Sequence, residues 1–121
     1  MKAVFIEQPG GRDALRYGDF PQPQAAAGQV LVKIAASGVN FIDTYHRSGL
    51  YTLPLPAVLG SEGAGTVAAI GDGVTGFRVG DPVAYAMARG SYAEYAAVPA
   101  HLLVKVPAGL NLQQAAAAML R

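Results

Sequence analysis

The chain has 121 residues, 52% of them apolar and 14% charged, with a formal net charge of +1 and no cysteine. This composition describes one core-rich domain and excludes a disordered tail, a disulfide framework and a thiolate zinc site. The near-neutral balance and the absence of any run of lysine or arginine exclude nucleic-acid binding and an anionic-membrane footprint.

In chain order, residues 1–8 are rich in Val, Phe and Ile and predict a strand that Pro9-Gly10-Gly11 stops. Residues 14–20, with Tyr17 and Phe20, suit the returning strand, and Pro21 and Pro23 end it in a loop through residue 28. Residues 29–37 (QVLVKIAAS) form the clearest strand, with Val30, Val32 and Ile34 on one face and Leu31 and Lys33 on the other. Asn40 then has the chemistry of a helix N-cap, Asp43 suits the positive end of a short helix over 41–48, and Gly49 suits its left-handed C-cap.

Beyond Pro54 and Pro56, residues 60–65 (GSEGAG) predict a tight backbone, followed by a strand over 66–70. Gly71-Asp72-Gly73 has hairpin-turn chemistry, Gly80-Asp81-Pro82 marks another turn, and strands are expected over 83–86, 91–98 and 101–106. Turns at these spacings predict a mainly antiparallel β domain with short helices. Asn111 with Gln114 resembles a capping box opening a helix that runs through the alanines to Leu120. That helix stops at Arg121 with no cap, which suggests a chain cut inside a longer protein. The opening MKAVFIEQPGG is too short in its apolar part for a signal peptide, and no apolar run is long enough to span a bilayer. A soluble, cytoplasmic protein is expected.

The chemistry concentrates in residues 38–65, where an amide, two carboxylates, two tyrosines and a histidine lie between strands. A dinucleotide fingerprint would need G-x-G-x-x-G before a helix, whereas GSEGAG is G-x-x-G-x-G before a strand, so its glycines are read as close-packing positions. Asp43, His46, Glu62 and His101 are the possible metal donors, and no two of them have ligand spacing. Ser61 lies outside a nucleophile elbow. What remains is polarisation of a substrate oxygen by neutral donors: Asn40, Tyr45 and Tyr51, whose rings also offer flat apolar faces. A capping role for Asn40 and Asp43 and a half-buried packing role for the tyrosines stand beside that reading.

The ordered pattern GVNFIDTYHRSGLY, then P-x-x-x-GSEGAGTV, then G-x-x-V-x-x-F-x-VGDPVAY resembles the medium-chain dehydrogenase/reductase superfamily, and within it the zinc-free quinone oxidoreductases. The resemblance covers nearly the whole chain. It implies one GroES-like substrate-side domain over residues 1–121, a distorted antiparallel β-barrel truncated at its last helix, with the family's Rossmann domain absent. It implies hydride transfer from NADPH to a quinone or related conjugated carbonyl without zinc. The zinc-dependent relatives carry cysteine where Asn40 stands and histidine where Ser61 stands, and their structural-zinc lobe would fall between Tyr85 and Tyr92. By the same resemblance Asn40, Tyr45 and Tyr51 are the catalytic residues and Asn40, Tyr45 and Asp43 meet the cofactor, with Ser61 a neighbour. Full-length members are expected to be homodimers. A zinc-free enoyl or alkenal reductase and a stand-alone, non-catalytic GroES-like binding module are the competing readings.

Overall fold

A computed structural model describes residues 1–119. Eight strands and two short helices follow in order: β1 (Lys2–Ile6), β2 (Arg16–Asp19), β3 (Gln29–Gly38), α1 (Phe41–Ser48), β4 (Ala57–Val58), β5 (Glu62–Ile70), β6 (Pro82–Ala86), β7 (Tyr95–Pro99), β8 (Val104–Lys105) and α2 (Leu112–Ala116). Three strands form one sheet in the order β2-β1-β4, and five form a second in the order β7-β3-β5-β6-β8. Every pairing is antiparallel. The mainly β, short-helix character is thus as expected.

The distorted barrel is two sheets joined at a seam instead of one closed ring. Ala3 bridges Ala93, the Val4 N–H donates to the Tyr92 carbonyl at 2.8 Å, and the Glu94 N–H donates to the Lys2 carbonyl at 3.1 Å. The main core lies against the five-stranded sheet, where Val30, Val32, Val67, Val83, Tyr85, Ala96, Val98 and Leu103 form one buried cluster. Val30, Val32 and Ile34 reach this cluster from β3, as their alternation requires. A second cluster, Ala64, Ala84, Ala115 and Ala116, joins α2 to β5 and β6. All four residues are alanines, so helix and sheet approach closely with little side chain between them. The five-residue helix owes its stability to that contact more than to propensity.

Several expectations require correction. The strand expected over 66–70 begins earlier: residues 62–65, expected as a tight backbone before it, are the start of β5. Their glycines make that possible: a Cβ on Gly65 would overlap the Lys33 carbonyl oxygen and sit 2.8 Å from its carbon. Gly65 pairs with Ile34, Ala64 pairs with Ala36, and the residue between them bulges from β3 towards this bare position. The strand expected over 91–98 is regular only in β7; before it, the Ile34 N–H of β3 still donates to the Glu94 carbonyl at 2.8 Å, while Ala93 and its neighbours also make the seam with β1. The strand expected over 101–106 is a 3-10 turn over Ala100–Leu102 followed by the two residues of β8. Gly71-Asp72-Gly73 does not turn directly between adjacent strands, since β6 begins at Pro82; it ties back to β3 through Gly71 N–H to the Gln29 carbonyl at 2.8 Å. The helix expected to continue to Leu120 is α2 over Leu112–Ala116, and Leu120 and Arg121 lie outside the described residues.

Candidate active site

The longest pairing in the fold fixes both ends of the candidate region. Gly38, the last residue of β3, is opposite Glu62, the first of β5. Residues 39–61 are therefore an excursion whose two ends meet at one place in the sheet. Asn40 and Glu62 are consequently neighbours, and the Asn40 Nδ2 donates to Glu62 Oε1 at 3.0 Å. Glu62 is 1% exposed, and its Oε2 accepts the Met119 N–H at 2.7 Å. The carboxylate can only accept, so the Asn40 NH2 faces Glu62, and the side-chain oxygen is turned to the Asp43 N–H in a capping box at the start of α1.

Asn40 is the N-cap of α1 and has extended backbone angles, φ −134° and ψ 157°. Asp43 occupies the third helical position, where its Oδ2 accepts the Asn40 N–H at 3.0 Å. The helix ends at Gly49, whose φ of 88° is the left-handed C-cap conformation that disfavours residues with a Cβ. Asp43 is buried, and the same Oδ2 accepts the Tyr92 hydroxyl proton at 2.5 Å, while Oδ1 is buried without a hydrogen-bond partner among the described residues. Burial first, and then the bond to Asp43, hold the Tyr92 phenol well above the usual tyrosine range. Tyr92 is a site residue that the sequence reading missed. Its partner lies 49 residues away in the chain, and no local pattern connects them.

His46 is buried on the inner side of α1, and its Nδ1 has no hydrogen-bond partner among the described residues. Burial lowers its pKa, the Arg89 guanidinium lowers it further, and Asp43 opposes both. The imidazole also meets the Tyr51 ring edge-on, with centroids 6.0 Å apart. Tyr51 in turn forms an edge contact with Tyr45 at 5.7 Å and an interplanar angle of 79°. Tyr45 is 39% exposed and Tyr51 50%, so both rings keep one side open. Val39, Phe41 and Leu50 are also exposed, and Phe41 and Tyr45 are one helical turn apart on α1. An open aromatic and apolar surface therefore surrounds the start and end of α1. A recess of about 100 Å³ runs beneath it, lined by His46, Gly49 and Tyr51. The larger groove of about 450 Å³, lined by Phe20, Pro56 and Tyr95 among others, contains none of these site residues.

Ser61 is buried, and its carbonyl accepts the Met87 N–H at 2.8 Å. His101 is exposed on the 3-10 turn after β7. Among the described residues no three His, Cys, Asp or Glu side chains converge on a point that could hold a metal ion, and no helix is long and apolar enough to cross a membrane. The half-open groups are the Tyr45 and Tyr51 phenols with their flat rings, which suit hydrogen bonding to a carbonyl oxygen and stacking on a planar ring.

Residues 26–108 match the alcohol dehydrogenase GroES-like domain. The quinone oxidoreductase of Pseudomonas aeruginosa is 49% identical over 122 residues, which cover 99% of this chain and 38% of that protein. The structure of the Pseudomonas syringae quinone oxidoreductase superposes with a TM-score of 0.94 at 47% identity, covering 98% of this chain and 37% of that one. The Escherichia coli quinone oxidoreductase, solved in complex with NADPH, superposes with a TM-score of 0.93 at 38% identity, with the same coverage. The chain thus spans a little over a third of the length of the curated relatives it matches. It belongs to the alcohol dehydrogenase GroES-like domain family, within the medium-chain dehydrogenase/reductase superfamily.

Proposed function

We propose that this chain is the substrate-side domain of an NADPH-dependent quinone oxidoreductase that works without zinc, in the cytoplasm and as a homodimer when full-length. The observation that carries the reading is the Tyr45–Tyr51 pair, half-open to solvent, at the end of a helix whose N-cap amide is fixed by a buried carboxylate. Relatives named quinone oxidoreductase, among them one solved with NADPH, support it. NADPH, when bound, supplies the hydride; the residues of this chain supply orientation and hydrogen bonds.

Tyr45 donates its hydroxyl proton in a hydrogen bond to the acceptor oxygen, where negative charge develops during reduction. Tyr51 forms a wall against the planar acceptor and, through its edge contact, restricts the Tyr45 ring. Asn40 meets the nicotinamide end of the cofactor. Asp43 acts one step back: it accepts the Asn40 N–H and anchors the start of α1 to Tyr92. Neutral hydrogen-bond donors in place of a Lewis acid suit easily reduced quinones better than simple ketones.

The test is NADPH oxidation with 1,4-benzoquinone or a naphthoquinone as acceptor, by this chain beside the longer protein. Quinone-dependent turnover is expected in the longer protein, with Tyr45→Phe lowering kcat/KM on the order of a hundredfold, as for loss of one hydrogen-bond donor to a developing oxyanion. Faster turnover of α,β-unsaturated ketones than of any quinone would replace this reading with the alkenal reductase.

A further inference from the structure

Tyr51 lies beyond the end of α1, yet α1 supplies the contacts that place its ring. Past the left-handed turn at Gly49, the Tyr51 N–H donates to the Tyr45 carbonyl at 3.4 Å. The ring then meets two others edge-on: Tyr45 at 5.7 Å, and His46 at 6.0 Å with an interplanar angle of 61°. The two supports differ in kind. Tyr45 is 39% exposed, whereas His46 is 8% exposed and lines the recess beneath Tyr51 with Pro9, Leu53 and Leu55. No other residue lining that recess is charged, and of those that line it only His46 changes charge between pH 5 and 8.

Two charged groups act on the imidazole: the Arg89 guanidinium, from the segment between β6 and β7, and the Asp43 carboxylate, one turn earlier on the buried side of α1. The neighbouring Arg47 instead donates to the Gly10 carbonyl at 3.3 Å, and the Tyr92 hydroxyl is bonded to Asp43 Oδ2. His46 Nδ1 and Asp43 Oδ1 are both buried without a hydrogen-bond partner among the described residues. While His46 is neutral, its ring is free to pack against Tyr51. A proton on the ring adds a second cation to the field of Arg89 and makes Nδ1 a donor, with an unsatisfied acceptor on the neighbouring turn of the helix.

We infer that His46 is a positioning residue for Tyr51: its neutral ring holds the Tyr51 wall against the planar acceptor, and protonation draws the imidazole towards Asp43 and slackens that wall. This inference rests on the acceptor placement proposed above, and it adds the residue that sets the wall and the pH range in which the wall is firm.

The test measures NADPH oxidation with a naphthoquinone by the longer protein from pH 7.5 to 5.0, beside its His46→Phe, His46→Gln and Tyr51→Ala variants. In the wild type, KM for the quinone should rise about three- to tenfold as pH falls below the ordinary histidine value of 6.5, with kcat nearly unchanged, as for loss of one ring contact made equally in ground and transition states. His46→Phe keeps a ring that cannot be protonated, so its KM should stay low throughout; His46→Gln should show a raised KM at every pH. A His46→Phe profile that rises in acid like the wild type's would overturn the inference. So would a His46→Gln effect of the same size in the Tyr51→Ala background, because His46 would then not act through Tyr51. A measurement without any buried substitution uses the longer protein labelled with fluorotyrosine, in which the Tyr51 fluorine signal should shift with the same midpoint as the His46 ring protons. A Tyr51 signal that stays fixed while His46 titrates overturns the inference whatever the enzyme reduces. A Tyr51 signal that follows His46 in a protein that reduces no quinone would remove the quinone reading and uphold the coupling between the two rings.

Discussion

Tyr85 offers a direct test of how the core is satisfied. It lies on β6 opposite Gly63, is fully buried in the main cluster, and its hydroxyl has no hydrogen-bond partner among the described residues. Burying an unpaired hydroxyl costs about 1–3 kcal/mol by protein mutational data. Tyr85→Phe removes that cost, keeps the ring contacts and breaks no hydrogen bond. Allowing for the small void left by the oxygen, the variant should be more stable by about 1 kcal/mol, or about 4 °C in Tm for a domain of this size. A second signature follows from protonation. Burial pushes the Tyr85 phenol far above its ordinary value of 10.0. Above that pH the unfolded chain releases the proton and the folded chain does not, so stability falls as pH rises, by up to about 1.4 kcal/mol per pH unit for each such group. Tyr85→Phe should make the alkaline loss above pH 10 shallower, while Tyr92 continues to contribute. Urea unfolding followed by far-UV circular dichroism between pH 7 and 11 measures both effects. A variant destabilised by about 1 kcal/mol, with an unchanged alkaline slope, would refute the reasoning and show that the hydroxyl is hydrogen-bonded within the core.

Tyr92→Phe should act in the opposite direction. It removes the hydroxyl donor to a buried carboxylate, so a loss of about 2 kcal/mol in urea unfolding is expected, and a loss below about 0.5 kcal/mol would show that the contact with Asp43 contributes little. Gly65→Ala places a Cβ on the Lys33 carbonyl at the β3 bulge; a loss of about 2–3 kcal/mol is expected, and a neutral effect in the same assay would mean that the strands separate there without cost. His46 has its pKa depressed by burial and by Arg89, against the opposing pull of Asp43. As pH falls below its ordinary value of 6.5, the unfolded chain takes up a proton before the folded chain does, and stability is lost. Thermal melts from pH 7.5 to 5.0 should show this acid loss in the wild type and a flatter profile in His46→Gln; parallel profiles would exclude His46 as its source.

The features legible in the sequence were those governed by neighbours along the chain. The alternation in QVLVKI gave the core face of β3, and Asn40, Asp43 and Gly49 gave both ends of α1 to the residue. Misread features depended on contacts between distant segments. GSEGAG reads as a tight backbone before a strand, and its last four residues already belong to β5 because Gly65 lies against β3 beside its bulge and Gly63 lies against Tyr85 and Ser91. HLLVKV has the composition of a strand, but its first residues close a 3-10 turn after β7. At the site, Glu62 stood out only as a possible metal donor, because its role depends on Asn40, 22 residues away, and on Met119, 57 residues away.

These long-range contacts also explain how a helix of eight residues can hold a site at all. An isolated helix of that length is unstable in water. At its start, α1 is held by two buried carboxylates that belong to different parts of the fold. Glu62 ties the Asn40 side chain to the five-stranded sheet. Asp43 ties the Asn40 backbone to Tyr92, whose own backbone joins Val4 and Leu59 at the seam between the sheets. Asn40 is thus fixed by its side chain to one sheet and by its backbone to the junction with the other. Tyr45 and Tyr51 follow on the part of the excursion that is open to solvent, where their exposed edges can adapt to a ring. Rigidity is concentrated at the amide and freedom at the phenols. On the proposed reading, a site with that division would hold the cofactor end in place while accepting planar substrates of different width.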